Sequence, residues 1–546
     1  MKNHIVDRRS QSVGAGSPSI VRIGILVFMV AAWTPPGIAA GFSAVQPMQQ
    51  IRDTSTATLL PSGKVLVAGG GAGPAGTPLP SAEVYDPDSG NWVLTGSLAT
   101  GRYDHTATRL ANGKVLVVGG SNGVLDLATA ELFDPATGTW SPAGSLNARR
   151  SLHTATLLPS GAVLVVGGTG ASGALQSAEL YDPATNNWSL TAPMSTPRLN
   201  HAAASLQSGK VLVVGGFNPN QRVGVATAET YDPTMNAWSP AGTLLDQRQG
   251  ATATTLLNGQ VLVASGFSDS TFMEIFSAEI YDPAANSWSA TAPLANARQL
   301  HVATLLASGK VLITGGFTHN QTRSALSSAE LYDPLKGTWS SAGDMTVKRG
   351  AHAAARLANG RVLVIGGGVF SLGGSIIDSL KSVELYEPPS AVVEFYNSGL
   401  DNFFITAELP EQTAIASGSA GPGWTVTGEF NPGGASQVCR FYGSITPGPN
   451  SHFYTIDPAE CQALKDIQAS TPATQKRWNF ESLDFASTIP SAGQCPAGTV
   501  PVYRTYNDGF ARGVDSNHRI TASPAAYQAQ IARGWKDEGV VMCAPE

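Results

Sequence analysis

The stretch RRSLHTATLLPSGAVLVVGG, residues 149–168, decides the fold, because versions of it recur along the chain. Arg150 and His153 precede an apolar segment, a Ser-Gly turn, a second apolar segment and a glycine pair. Related phrases begin at arginines that lie 48 to 51 residues apart. These arginines are Arg52, Arg102, Arg150, Arg198, Arg248, Arg298 and Arg349. A repeat of this length predicts a solenoid or a propeller.

Each copy continues with a phrase like AELYDP (178–183), and in six of the seven copies a tryptophan follows seven residues after its aromatic residue, as Trp188 follows Tyr181. Each unit therefore offers four short strands, with Ser-Gly or Asn-Gly after the first and Asp-Pro after the third as turn signals. Four antiparallel strands per unit are typical of a propeller blade. The tryptophans are Trp92, Trp140, Trp188, Trp238, Trp288 and Trp339.

The tryptophan strand occurs six times, whereas the other three strands occur seven times. Phe42 lies 13 residues before Ser55, as Trp140 lies 13 residues before His153. We therefore predict an all-β domain at 41–390, a seven-bladed propeller in which the strand near Phe42 is the outer strand of the last blade. Such closure removes exposed sheet edges.

The glycine pairs, the following Tyr and the Trp resemble kelch repeats, and the arrangement over 42–388 is similar to the propeller domain of the galactose oxidase family. That resemblance implies a fold, but propellers host many unrelated activities. In galactose oxidases copper is held by Tyr and His, and one Tyr is crosslinked to a Cys. No Cys stands between residues 42 and 388, so a crosslinked cofactor of that kind cannot form here. We expect no cofactor and no metal site.

The repeated charges have a structural interpretation. An active site needs one asymmetric cluster, whereas the Arg recurs in every copy, together with a Glu in the third strand. We expect these charges to pair within or between blades. The Glu residues are Glu83, Glu131, Glu179, Glu229, Glu279, Glu330 and Glu384. Histidine recurs in five copies, and a ring of histidines binding a metal in the central channel is the alternative. The histidines are His105, His153, His201, His301 and His352.

The loops after the glycine pairs differ between blades and are better candidates for binding, because propellers carry function on loops held by a rigid scaffold. Aromatic and amide side chains there would suit a neutral sugar, unless the Phe residues fill space beneath the loops. The candidates are Phe217, Asn220, Gln221, Phe267, Phe317, His319, Asn320 and Gln321.

The two ends of the chain indicate export. Arg8, Arg9 and Arg22 precede the apolar run IGILVFMVAAW (23–33), which is too short to span a membrane and reads as part of a signal peptide over 1–40. Four cysteines lie near the other end, and in an exported protein they predict two disulfides whose pairing stays open. They are Cys439, Cys461, Cys495 and Cys543. We expect a secreted protein, extracellular or periplasmic, with no membrane span after cleavage.

Residues 391–546 contain a second repeat in three units, VEFYNSGLDNFFIT (393–406), CRFYGSITPGPNSHFYT (439–455) and VYRTYNDGFARGVDSNHRIT (502–521), each followed by a short helix and a Trp. We predict a small α+β domain, stapled by the disulfides. It resembles a domain of unknown function found in secreted bacterial proteins, which implies an accessory role such as glycan binding.

The candidate ligand-binding residues of this C-terminal domain could equally belong to its core. They are Tyr442, His452, Tyr454, Trp478, His518 and Trp535. Two units depart from the pattern. Phe403 stands in the first unit where His452 stands in the second, and the third unit has Thr505 and Arg519 in place of aromatic residues.

These observations favour an exported, non-catalytic binding protein that recognises an extracellular polysaccharide, a cell-surface glycan or a surface protein. One alternative is a propeller enzyme acting on sugars, either a metal-dependent oxidase or a lyase, and another is a protein-interaction scaffold. The formal charge of −6, with no basic stretch, argues against a nucleic-acid partner.

Overall fold

The structure is a computed structural model, and it describes residues 41–318, 324–370, 376–389, 391–397, 402–416, 418, 423–432, 436–443, 452–472, 478–491, 493–507 and 517–545. The predicted signal peptide, 1–40, lies outside these residues. In the described part of the N-terminal domain, seven four-stranded antiparallel sheets follow one another, each in the strand order first, second, third, fourth. The repeated four-stranded sheets confirm the prediction of an all-β, propeller-type domain.

The strand bounds repeat from sheet to sheet. The first strands are Thr56–Leu59, Thr106–Arg109, Thr154–Leu157, Ala202–Ser205, Thr252–Thr255, Val302–Leu305 and Ala353–Arg356. The second strands are Val65–Ala68, Val115–Val118, Val163–Val166, Val211–Val214, Val261–Ala264, Val311–Thr314 and Val362–Ile365. The third strands are Ala82–Asp86, Thr129–Asp134, Ala178–Asp182, Thr227–Asp232, Ala278–Asp282, Ser328–Asp333 and Val383–Glu387. The fourth strands are Asn91–Leu94, Thr139–Ser145, Asn187–Leu190, Ala237–Thr243, Ser287–Thr291, Thr338–Asp344 and, for the last sheet, Gly41–Val45.

The second strands are buried on both faces because neighbouring sheets pack against each other. All four residues of each second strand are buried, which explains their continuous Val/Leu composition. A typical cluster joins Leu116 and Val118 of the second sheet to Val163, Val165 and Tyr181 of the third. The core of this domain therefore lies between sheets and repeats with them.

The tryptophan of the fourth strand connects neighbouring sheets. It packs on the Tyr or Phe of the third strand, as in Tyr181–Trp188, whose ring centroids are 5.1 Å apart. Its indole N–H donates a hydrogen bond to a carbonyl of the preceding sheet, as Trp188 does to Ala143 over 2.8 Å. Phe42 occupies this position in the last sheet and packs on Tyr386 at 4.9 Å.

The two ends of the domain meet in the last sheet. Strand Gly41–Val45 pairs with Val383–Glu387 over five residues, with Phe42 opposite Tyr386. The N–H of Thr54, just before the first sheet, donates to the carbonyl of Ala351, just before the seventh. The strand near Phe42 thus occupies the place that the repeat count predicts.

A β-hairpin is inserted between the second and third strands of six sheets in the described residues. The hairpin strands are Gly71–Ala72 with Thr77–Pro78, Thr169–Gly170 with Gly173–Ala174, Phe217–Asn218 with Val223–Gly224, Phe267–Ser268 with Met273–Glu274, Phe317–Thr318 with Ser324–Ala325 and Gly368–Phe370 with Ile376–Ser379. In an antiparallel sheet this insertion lies at the end opposite the turn between the first two strands. We call the end with the insertions the hairpin face and the opposite end the turn face.

The C-terminal domain consists, in its described residues, of three three-stranded sheets with the first strand of each unit in the centre. The first strands are Val392–Asn397, Ser436–Gly443 and Thr499–Tyr506. The second strands are Asn402–Thr406, His452–Thr455 and His518–Thr521. The third strands are Trp424–Phe430, Trp478–Ser487 and Lys536–Pro545. Helices α1 (Leu409–Ala416), α2 (Pro458–Ser470) and α3 (Pro524–Ala532) each join a second to a third strand.

One apolar cluster unites the three units, with Val392, Val438 and Val502 from their first strands. Helices α2 and α3 begin after the capping side chains of Asp457 and Ser523, and each has Pro in its first turn. Both predicted disulfides are present. Their pairing, which the sequence left open, is Cys439–Cys461 and Cys495–Cys543.

The C-terminal domain contacts the turn face of the sixth and seventh sheets. Lys310 Nζ lies 2.6 Å from Glu429 Oε1. A Cβ built on Gly360 would lie 3.1 Å from Leu409 Cβ. No helix in the described residues is long and apolar enough to cross a membrane.

Candidate functional site

The repeated Arg and Glu form a buried ion pair inside each sheet. Arg150 Nη2 lies 2.7 Å from Glu179 Oε1, and its Nη1 donates to the carbonyls of Gly167 and Ser177. Glu179 also accepts from the backbone N–H of Asn147, in the segment that enters the sheet. The same Arg–Glu pair recurs in all seven sheets at 2.6 to 2.9 Å. The pair therefore fixes each sheet to the chain that precedes it.

The repeated histidines are buried and connect neighbouring sheets. His153 Nε2 is hydrogen-bonded with Thr106 Oγ1, on the first strand of the preceding sheet, at 3.0 Å, and three other histidines make the equivalent bond. His352 instead bonds Thr314 Oγ1, on the second strand of the preceding sheet, at 2.8 Å. Where Ala251 replaces His, the preceding sheet has Ala202 in place of Thr. The first Gly of the pair is required by the same packing, because a Cβ on Gly119 would clash with the Arg150 carbonyl oxygen and lie 2.9 Å from His153 Cε1.

These histidines are neutral. Burial lowers the pKa of His105, His201 and His301 to about 3, and it lowers the pKa of His153 and His352 well below its usual value. With Nε2 occupied by a Thr hydroxyl, they act as packing residues of the scaffold.

Seven residues in the left-handed conformation, with φ between 46° and 62°, precede the first strands. They are Thr54, Asp104, Leu152, Asn200, Gly250, Leu300 and Ala351. Most are joined by backbone hydrogen bonds from one to the next, as from Asn200 N–H to the Leu152 carbonyl. They bring the first strands together on the hairpin face.

Three carboxylates lie near this set of residues. Asp53 is buried and accepts a hydrogen bond from Ser379 Oγ at 2.6 Å, and Asp126 accepts one from Ser151 Oγ at 2.7 Å. Burial and the charges of Asp53 and Asp126 raise the pKa of Asp104 to about 6. Asp104 therefore carries a proton for part of the time near neutral pH.

The candidate residues of the hairpin face lie in different environments. Asn220 and Gln221 are exposed on their hairpin, where Gln221 Oε1 accepts from Asn218 Nδ2 at 3.3 Å. Phe217 and Phe267 are half-buried. Phe317 is only 1% exposed and packs on Gly350, so its ring fills space beneath its hairpin. His319, Asn320 and Gln321 lie outside the described residues.

Two exposed aromatic residues of the hairpin face were not among the predicted candidates. Phe272 and Phe276, in the fifth sheet's insertion, are 75% and 53% exposed, and Met273 is exposed between them. Phe272 also has φ +54°, a conformation unfavourable for a bulky side chain. The stretch FSDSTFMEIF (267–276) contains three Phe residues. The first is half-buried and the other two are exposed, and no pattern in the sequence predicts this difference in exposure.

The C-terminal candidates form a ring that joins the three units. The ring of Phe404 in the first unit packs on His452 of the second at 4.8 Å, and Phe453 of the second packs on His518 of the third at 5.1 Å. The third contact is Arg519 over Phe403, 4.4 Å from the ring centroid. Each unit thus packs a residue of its second strand on the next unit.

The departures from the repeat are compensated in this ring. Arg440 and Arg504 stack on Phe404 and Phe453 of the preceding unit. Between the third and first units the charged residue lies on the other strand. Glu394 stands in the first unit where Arg440 and Arg504 stand in the other two, and it pairs with Arg519 of the third unit at 2.6 Å. An attractive contact is therefore present between each pair of units.

Two of the C-terminal candidates are buried inside the domain, and the other four are half-buried. Tyr454 is buried, and its hydroxyl donates to the Ile405 carbonyl at 2.6 Å. His518 is buried, and burial together with Arg504 lowers its pKa to about 3. Tyr442, His452, Trp478 and Trp535 are half-buried at the rim of the ring.

The comparisons with known proteins agree with this architecture. Residues 54–266 match the KLHDC2/KLHL20/DRC7 Kelch-repeats domain, residues 301–346 match the Kelch motif, and residues 391–545 match a domain of unknown function, DUF5648. Among solved structures, the chain is similar to a fungal alcohol oxidase of the AA5 family in complex with copper. The identity is 16% and the TM-score 0.53, over 82% of this chain and 92% of that one. Comparison with curated proteins gives no match.

The N-terminal domain is therefore a kelch-type β-propeller with a galactose-oxidase-like fold. The copper of that relative has no fitting ligand set in the residues described here, where no three His, Cys, Asp or Glu side chains are grouped to hold a metal ion. The five propeller histidines are buried and hydrogen-bonded with threonines. We therefore derive no copper chemistry for this chain.

Proposed function

We propose that this chain is an exported, non-catalytic binding protein. In this proposal a seven-bladed propeller, closed by strand Gly41–Val45, presents its hairpin face to an extracellular polysaccharide or a cell-surface glycan. The two disulfides are compatible with an oxidising compartment outside the cytoplasm.

The observation that carries the proposal is Phe272. Its exposed ring and left-handed backbone are both unfavourable for stability, and such features concentrate at functional sites. Together with Phe276 it offers aromatic faces to the C–H groups of a sugar.

Polar groups at the base of this insertion supply the other half of a sugar site. Asp269 accepts from Gln249 Nε2, and Glu274 accepts from Gln299 Nε2, both at 2.9 Å. These pairs hold two carboxylates in place on the same insertion as the exposed rings.

The test is a glycan-array screen of the full chain, followed by titration of the best glycan against Phe272→Ala and Phe276→Ala. We expect each substitution to weaken binding by roughly two- to tenfold, the contribution of one aromatic contact. The matched control is Leu190→Ala, because Leu190 is a similarly exposed apolar residue on a fourth strand.

Two results would contradict the proposal. One is the absence of saturable binding on the array. The other is a loss of affinity in Leu190→Ala as large as that in the Phe variants, which would place the ligand elsewhere.

Asp104 favours a second candidate, an enzyme acting on sugars. A carboxyl group with its pKa raised to about 6 beside two other carboxylates has the properties of a general acid or base. Turnover of an array-positive glycan that is lost in Asp104→Asn, with glycan binding intact, would favour the enzyme.

A further inference from the structure

The turn face carries grooves between neighbouring sheets, and the chain itself fills one of them. Between the fifth and sixth sheets, a Cβ built on Gly309 would lie 3.3 Å from both Leu257 Cδ1 and Val426 Cγ2. Val426 belongs to strand Trp424–Phe430 of the C-terminal domain. Glu429, three residues further along that strand, pairs with Lys310. With this strand in place, a cavity of only about 30 Å³ is left.

The groove between the third and fourth sheets repeats these features, and among the residues that the structure describes no strand of the C-terminal domain lines it. It is lined by Leu157, Leu158, Pro159, Leu206 and Gly209, and its cavity measures about 290 Å³. Pro159 stands where Leu257 stands in the filled groove, and Gly209 stands where Gly309 stands.

The lysine of the filled groove is repeated too. Lys210 follows Gly209 as Lys310 follows Gly309, and each lies within 4 Å of the Asp that ends the third strand of its sheet. The Lys310 side chain is 24% exposed beneath the C-terminal domain, whereas that of Lys210 is 44% exposed. Lys210 is therefore accessible to a further carboxylate.

The groove between the fourth and fifth sheets is closed by a side chain of the propeller, because a Cβ on Gly259 would lie 2.7 Å from Gln207 Oε1. In the groove between the third and fourth sheets the corresponding atom is Pro159 Cγ, which would lie 3.2 Å from a Cβ on Gly209. That distance is close to the 3.3 Å of Leu257 Cδ1 in the filled groove, where Val426 still enters.

We propose that the groove between the third and fourth sheets is a docking site for an extended segment of a protein partner. This segment carries a β-branched side chain, which enters the groove against Gly209, and an acidic residue three positions later, which pairs with Lys210. The site is distinct from the proposed glycan site, since it lies on the opposite face.

The experiment uses the full chain and a labelled peptide with the sequence GWTVTGEFNP, residues 423–432, as the probe. We expect saturable binding by fluorescence anisotropy, weakened at least roughly tenfold in Lys210→Glu and in Leu157→Asp. The matched control is Lys114→Glu, because Lys114 makes the same ion pair with Asp134 in the second sheet, at 3.0 Å. A peptide with Val426 and Glu429 both replaced by Ser should not bind.

The peptide could also compete for the groove that the C-terminal domain fills, so Lys310→Glu is measured alongside. Binding that is lost in Lys310→Glu and kept in Lys210→Glu would overturn the proposal. So would the absence of saturable binding up to about 1 mM peptide, a concentration that detects even weak docking.

Discussion

Arg150 shows how a buried charge is accommodated in this fold. Its guanidinium is fully buried, and it donates to Glu179 and to two carbonyls of its own sheet. Glu179 in turn accepts from Asn147 and Ala148 N–H. Because the two buried charges are paired with each other, removing one would leave the other buried and unpaired.

Substitution of Arg150 by Met should lower the free energy of unfolding by about 3–5 kcal/mol, the usual consequence of breaking a buried pair. Thermal and denaturant unfolding measure it. The exposed pair Lys114–Asp134 supplies the control, and Lys114→Met should change stability by less than about 1 kcal/mol. Glycan binding should stay intact in Arg150→Met, and its loss at unchanged stability would contradict the structural role.

The buried histidines make stability depend on pH. Burial lowers the pKa of His201 to about 3, so below its unfolded value of about 6.5 the unfolded state binds more protons. The contribution of His201 is therefore complete above pH 6.5 and is lost as the pH falls towards 3. In His201→Gln, the slope of unfolding free energy against pH should fall by up to about 1.4 kcal/mol per pH unit in this window.

Urea unfolding at several pH values, compared between wild type and His201→Gln, isolates this contribution. Asp104 acts in the opposite sense, because its raised pKa removes stability as the pH rises towards 6. It is present in both proteins and cancels in the difference. Parallel slopes for the two proteins would show that His201 is not buried neutral.

At this scale the sequence predicts structural residues better than functional ones. The recurrence of Arg150 in seven copies indicated a scaffold role, and the buried Arg–Glu pairs have that role. The aromatic loops were identified, but Phe317 is buried and Phe272 is exposed, because the hairpin turn and the contact with Gly350 decide which ring faces solvent. Neither the turn nor this contact can be predicted from the fact that the residue is a Phe.

Among the elements, the contact between first strand and helix is made in different ways in the C-terminal units. In the second unit Cys439 is disulfide-bonded to Cys461 of α2. In the third, Tyr503 stacks on Tyr527 of α3, with ring centroids 4.4 Å apart. Cys461 and Tyr527 are both the fourth residue of their helix. A disulfide in one unit and an aromatic stack in the other thus join the first strand to the same position of the helix.

Replacing Cys439 and Cys461 together by Ala should lower the stability of the C-terminal domain by about 2–4 kcal/mol, as expected for a link across 22 residues. Differential scanning calorimetry of the full chain, wild type against the double variant, measures the shift. The Phe453–His518 contact crosses to the third unit, so we expect that unit to melt with the second. An unchanged transition would mean that the stack of Phe441 on Phe480 suffices to hold the second unit.

For the whole molecule, the repeat predicted the N-terminal architecture because every sheet contains the same phrase. Its period could not show how the C-terminal domain is attached. That attachment depends on Val426 and Glu429 meeting Gly309 and Lys310, a pairing of two unrelated repeats. The sequence likewise could not choose among the three cysteine pairings, since that choice depends on the packing of strands.

Lys310→Glu should loosen the C-terminal domain, because it places like charges at the 2.6 Å contact with Glu429. Limited proteolysis should then cleave between the domains, near residue 390, several times faster than in wild type. Lys114→Glu, remote from the contact, is the control. Equal cleavage rates in the two variants would show that apolar contacts such as Leu409 on Gly360 hold the domains together without the ion pair.

The pairing of Gly41–Val45 with Val383–Glu387 also has a consequence for biosynthesis. Ser43 and Leu385, bonded to each other in the finished sheet, are 342 residues apart in the chain. Because the N-terminus is synthesised first, strand Gly41–Val45 is complete long before strand Val383–Glu387, with which it pairs. Until the second strand is made, the early strand is an unpaired apolar segment, and pairing at such a distance is slow. An unpaired strand of this kind favours aggregation of newly made chains until its partner is available.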